Sequence, residues 1–141
     1  MGSSQKRSTQ LESDTSTQLA KKCAFWAHEK KAENVLVLDV SQLTSFADNF
    51  IVCSASGERQ AQAVARHVMD SVKEDGAHVF GVEGLVEGNW ILIDLGDVVF
   101  HVFTAHARDY YDLDGLWGDA PIVASLNSDD RLSENAFMSV S

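Results

Sequence analysis

The chain has 141 residues, 45% of them hydrophobic, which suits one domain with a real core, and its 11 Lys and Arg against 21 Asp and Glu leave a formal net charge of −10. So acidic a chain lacks the basic surface that phosphate-driven nucleic-acid binding needs. No apolar run approaches the roughly 18 residues of a membrane span, the start MGSSQKRSTQLESDTSTQ has no apolar signal region, and Cys23 and Cys53 make no disulfide framework, so reduced cytosol is the expected setting.

Residues 1–14 are rich in Ser, Thr and Gln and poor in large apolar groups, which predicts a flexible leader. The first helix is expected over Thr15–Ala32, capped by Asp14 or Thr15, with Leu19, Cys23, Trp26 and Ala27 on one face. Two aliphatic runs, Val35–Leu38 and Phe50–Cys53, read as strands buried on both faces, joined by a polar loop over residues 39–49. The clearest helix is Glu58–Asp75. Its residues Ala61, Val64, Ala65, Val68, Met69 and Val72 recur at helical spacing, started by Ser56 or Gly57 and stopped by Gly76.

Three further strands are expected at Val79–Glu83, Trp90–Leu95 and Val98–Phe103, the last two joined by a tight turn at Gly96-Asp97. Thr104 can cap a short helix through Tyr111, and Leu113, Leu116 and Trp117 follow as an apolar turn. The stretch after Pro121 is polar, with isolated Leu126, Leu132 and Phe137, and reads as a tail over residues 123–141. The folded body is then 15–122, an α/β layer fold with a mixed sheet of about five strands.

Chemistry is sparse along this chain. Ser54-Ala55-Ser56-Gly57 joins a strand to a helix, where a phosphate could meet helix N–H groups, but neither G-x-x-x-x-G-K-[ST] nor G-x-G-x-x-G is present. The five histidines fall in no H-x-x-x-H spacing, there is no C-x-x-C, and no G-x-S-x-G elbow occurs, so neither metal nor cofactor nor catalytic nucleophile is expected. Asp94, Asp97 and His101 could converge near the hairpin, yet no nucleophile stands beside them. Cys53 reads as a packed thiol and His101 as a hydrogen-bonded histidine of the core or sheet edge.

Charge is more informative. Residues 83–119 hold eight acids and one base, Arg108, and the same stretch carries Trp90, Phe100, Phe103, Tyr110, Tyr111 and Trp117. Aromatic anchors in charged surroundings are what protein interfaces use, and a negative field speeds encounter with a basic partner. The plainer reading puts Phe100, Phe103 and Trp117 in the core and leaves Trp90 divided between core and surface.

The segments VLVLDVSQLTSFADNFIVCSASGERQ (35–60), GVEG (81–84), WILIDLGDVVFHVF (90–103) and RDYYDLDGLWGDAP (108–121) carry a family likeness. The ordered pattern W-x-x-x-D-x-G-D-x-x-x-H-x-F, then R-x-x-Y-x-L-x-x-L-W, resembles the ribosomal silencing factor family, also called the Iojap family, over about residues 26–121. The resemblance implies a fold similar to nucleotidyltransferases without their activity, and the G-S then D-x-D metal motif of true transferases is indeed missing here. It further implies binding to the large ribosomal subunit at its fourteenth ribosomal protein, a steric block of subunit joining in starvation or stationary phase, and self-association. By the same match Trp90, Asp94, Asp97 and His101 on the hairpin, with Arg108, Tyr111 and Leu113 beyond it, would face the partner. The rival readings are a divergent nucleotide-handling domain built on the SASG junction and a dimeric interaction module pairing through free strand edges.

Overall fold

The computed structural model describes residues 2–139 except 113, 114, 116, 128, 129 and 132, with side chains from residue 15 to 138. Helix α1 (Gly2–Glu29) is followed by β1 (Glu33–Asp39), β2 (Asn49–Ala55), α2 (Glu58–Glu74), β3 (Gly81–Glu83), β4 (Trp90–Asp94), β5 (Val98–Thr104), α3 (Ala105–Tyr111), β6 (Ile122–Leu126) and α4 (Glu134–Ser139). The strands form one sheet in the order β3-β4-β5-β2-β1-β6. Only β2 and β5 pair in parallel; all other neighbours are antiparallel.

The two aliphatic strands at the centre explain this order. Every residue of β2 and of β5 is buried, as strands covered on both faces require. On one face α1 and α2 close the main core. Ala20, Cys23, Ala24 and Ala27 form the deepest line of α1, and these small side chains let the helix lie close to Val35, Val37 and Ile51. From α2 come Ala61, Val64, Ala65, Val68 and Val72, the stripe read from the sequence. Both helices end in the same way. After α2, Gly76 takes φ +88° while the N–H groups of Gly76 and Ala77 return to the carbonyls of Lys73 and Val72. After α1, Lys31 takes φ +65° and Lys31 and Ala32 return to His28 and Ala27, so the helix stops at Glu29 and not at Ala32.

At the other end α1 begins at Gly2 rather than Thr15, so the stretch expected to be a flexible leader is helical. No glycine or proline interrupts residues 3–29, and extending an existing helix costs far less than starting one. Thr104 caps α3 as expected, its Oγ1 accepting from the Ala107 N–H at 3.2 Å.

The sheet has six strands, and the sixth comes from the segment read as a tail. In β6, Leu126 stands opposite Val35 and Ile122 opposite Leu38. Its side chains alternate too weakly to signal a strand; the backbone of β1 supplies the pairing, and Leu126 is buried as its anchor. Residues 134–139 then turn back as α4, where Phe137 is 2% exposed and sits 6.5 Å from the Phe25 ring. His28 Nε2 lies 2.9 Å from the Asp130 carbonyl on the way. Leu132 lies outside the described residues.

Docking of the C-terminal segment is testable. Phe137→Ala should lower unfolding free energy by roughly 3–5 kcal/mol, the range for truncating a buried phenylalanine. A urea titration followed by circular dichroism reads this, and an unchanged midpoint would return residues 127–139 to the status of a loose tail.

Candidate functional site

The second face of the sheet is covered unevenly. Helix α3 and residues 117–120 lie over part of it, packing Ala107, Trp117 and Ala120 against Leu38, Phe50, Val52 and Phe103. Beside them the β4–β5 hairpin keeps its face open, and a groove of about 650 Å³ results. Strand alternation selects its floor. Trp90, Leu92 and Asp94 from β4, and Val99 and His101 from β5, point to this one side, with Phe50 of β2 beside them. Phe46, Phe80 and Trp117 complete the lining, and Gly96 lies at the hairpin end.

His101 is placed by three aromatic neighbours. Its Nδ1 accepts a hydrogen bond from Trp90 Nε1–H at 3.1 Å, Phe50 meets its ring edge-on at 4.9 Å, and Phe103 stacks at 6.2 Å. Only 4% of the residue is exposed. Burial pushes its pKa down to about 4 from 6.5, so the ring is neutral at physiological pH. With Nδ1 accepting, the proton of the neutral ring is assigned to Nε2, which has no partner among the described residues. The expected core or edge histidine is therefore found, and it braces Trp90. Trp90 itself is half-buried, stacked on Phe103 at 5.0 Å and 5.0 Å from Tyr111, which settles its divided reading as both core and surface.

The acids sit at the hairpin end of the groove. Asp94 Oδ1 accepts from the Gly96 N–H at 2.9 Å, and Gly96 adopts φ +93°, a conformation that favours glycine at the turn. Asp97 is exposed at the tip, while its carbonyl accepts from the N–H groups of Asp48 (2.7 Å) and Asn49 (3.2 Å) and so fixes the hairpin to the start of β2.

Of the residues singled out from the sequence, Trp90, Asp94 and His101 line the groove, Asp97 stands at its end, and Tyr111, half exposed, extends the aromatic wall along α3. Arg108 does not join them. It is buried, and its Nη1 donates to the Asn34 carbonyl and to Ser54 Oγ, both at 2.9 Å, tying α3 to the ends of β1 and β2. A separate polar cleft of about 550 Å³ lies there, with Glu33 and Asp109 on its lining. Leu113 lies outside the described residues. Phe46 and Phe80 were not singled out, although an aromatic in the polar loop 39–49 was a readable signal.

The SASG junction is occupied by local structure. The Ser56 N–H and Oγ–H both donate to Gln60 Oε1, at 2.6 and 2.8 Å, and Gln60 Nε2 donates to the carbonyls of Lys30 and Lys31 at 3.2 Å. These bonds join the start of α2 to the end of α1 and take up the serine that a phosphate would use. Burial pushes the Cys53 thiol up to about 12, so it stays protonated and packed.

A pH dependence follows from His101. Its folded-state pKa lies below the unfolded value, so its neutral form costs nothing extra above about 6.5, and stability falls as pH drops from there towards 4. The full loss is roughly 3 kcal/mol at 1.36 kcal/mol per pH unit. Urea unfolding at pH 7.5 and 5 should show a substantial part of it, and His101→Phe should remove that part; an equal pH slope in both proteins would refute the assignment.

Comparison with known proteins agrees with this architecture. The family model described as "Ribosomal silencing factor during starvation" matches residues 13–139, including the C-terminal segment beyond the 26–121 span of the sequence likeness. A Bacillus subtilis protein named ribosomal silencing factor RsfS is 45% identical over 95 residues, covering 67% of this chain and 80% of that one. A crystal structure from Chromobacterium violaceum superposes with a TM-score of 0.67 at 42% identity, covering 70% of this chain and 83% of that one. One from Bacillus halodurans gives 0.64 at 38% identity, covering 76% and 94%. A family match across nearly the whole described fold, with relatives alike in both sequence and structure, means that the chain belongs to the ribosomal silencing factor family.

Proposed function

We propose that this protein binds the large ribosomal subunit through its fourteenth ribosomal protein and blocks joining with the small subunit by occupying the shared surface. The observation that carries the reading is the open groove: a cluster of aromatic rings left uncovered on the sheet, edged by Asp94 and Asp97, in a chain of net charge −10. An exposed apolar patch with a charged rim is the usual form of a protein docking surface, and the acids suit a basic partner. Trp90, Asp94 and Asp97 with Tyr111 would meet that partner, His101 would hold Trp90 in place, and Arg108 would act only as a strut.

Such a mechanism needs bulk and affinity, not bond chemistry. A factor bound to free large subunits removes them from the joining equilibrium by mass action. Repression under starvation or in stationary phase, action in the cytoplasm, and self-association belong to the same reading. The serine of the SASG junction is engaged with Gln60, which favours this surface role over nucleotide handling.

Sucrose-gradient sedimentation tests it. The protein should co-migrate with purified large subunits, and its addition before mixing should shrink the joined-ribosome peak; an unchanged peak at saturating protein would refute the proposal.

Steering by the acids is read separately. Between 50 and 300 mM salt the association rate should fall by roughly tenfold, because screening weakens attraction between exposed charges. Asp94→Asn with Asp97→Asn should flatten that slope, and asparagine keeps an oxygen for the Gly96 N–H. A rate that ignores salt in the unaltered protein would remove the steering.

A further inference from the structure

Two walls of the groove are rings that the core does not use. Phe46 is 69% exposed and Phe80 is 64% exposed, yet both line the groove with Trp90 and Asp94. Neither belongs to the packed clusters on the two faces of the sheet. Phe80 is nonetheless positioned. Its N–H donates to the Asp94 carbonyl at 2.8 Å, His78 meets its ring edge-on at 4.6 Å, and a side-chain carbon on Gly96 would stand 3.2 Å from that ring. Phe46 is held by a short turn in which its N–H reaches Thr44 Oγ1 at 3.4 Å. Leaving two phenyl rings in water forgoes the burial free energy that each could contribute, so their placement beside an uncovered groove points to an occupant.

The lining identifies that occupant's charge. Among the described residues Asp94 is the one acidic side chain on it, and no lysine or arginine lines it. Asp94 Oδ1 accepts from the Gly96 N–H, and Oδ2 has no partner among the described residues. The floor histidine is neutral and opposes no cation. A purely apolar guest would cover the carboxylate without pairing it, which is costly. A cation on an aliphatic stem suits all parts together: apolar floor, aromatic faces and carboxylate.

Resting on the docking role proposed above, we infer that the groove receives one lysine or arginine side chain of the basic partner. Its stem lies over Leu92 and Val99, and its charged head meets Phe46, Phe80 and the Asp94 carboxylate.

The experiment measures affinity of the full chain for purified large subunits, comparing the unaltered protein with Phe46→Leu/Phe80→Leu, Phe46→Ala/Phe80→Ala and Asp94→Asn, each checked for an unchanged circular dichroism melt. Leucine keeps apolar contact but has no ring face. If a cation is bound, the leucine and alanine pairs both weaken binding by roughly tenfold, as loss of two ring–cation contacts implies, and Asp94→Asn weakens it comparably. Leucine variants that bind as the unaltered protein does would mean an apolar guest and overturn the inference. Full affinity in both Phe pairs would show that these walls are unused and overturn it as well, with the docking role intact. If the unaltered protein fails to bind large subunits, the docking role itself falls and the inference falls with it.

Discussion

From Asn49↔Val98 to Ala55↔Thr104, β2 and β5 run side by side in parallel at the middle of the sheet, and no residue of either strand is exposed. Parallel neighbours cannot be joined by a short turn. The chain leaves β2, crosses as α2, adds β3 and β4 at the outside, and returns through the Gly96 turn into β5. That path puts α2 with α1 on one face and leaves the β4–β5 hairpin at the flank of the other. Helix α3 is seven residues long and starts where β5 ends, too short to cover the hairpin it follows. The groove is the part of the sheet that this connection leaves bare.

The same strand pairing sets the floor of the groove. Its floor is made by strands locked in register, Leu92 opposite His101 and Asp94 opposite Val99. The Trp90–His101 hydrogen bond then fixes the largest ring without placing a charge beneath it. Rigid aromatic rings lose little conformational entropy on binding, so a surface of this kind is preorganised for a partner. In the proposed docking role, Asp94 and Asp97 would add a field acting on encounter and orientation.

The polar groups that looked most like chemistry turn out to be structural connections. Arg108 bridges α3 to β1 and β2, Ser56 and Gln60 bridge α2 to α1, and Asp97 fixes the hairpin through its backbone. Buried polar side chains in a small fold need such partners, because an unpaired one is costly. The proposed docking role draws on the shape, apolar area and charge that the groove presents.

Much of this was legible in the chain itself. Continuous aliphatic runs marked β1, β2 and β5, the spacing from Ala61 to Val72 marked α2, and Gly96-Asp97 marked the hairpin, because burial pattern and turn chemistry are local properties. The ordered hairpin motif likewise pointed to the family. Tertiary structure alone decided three things. It made β6 a strand, since its pairing comes from the backbone of β1 and not from its own side chains. It buried Arg108, whose partners Asn34 and Ser54 lie far away in sequence. It also brought Phe46 and Phe80 to Trp90 and Asp94, from separate loops. Periodicity tells which side of an element is apolar; it does not tell which other element arrives to cover that side, and the groove exists where none does.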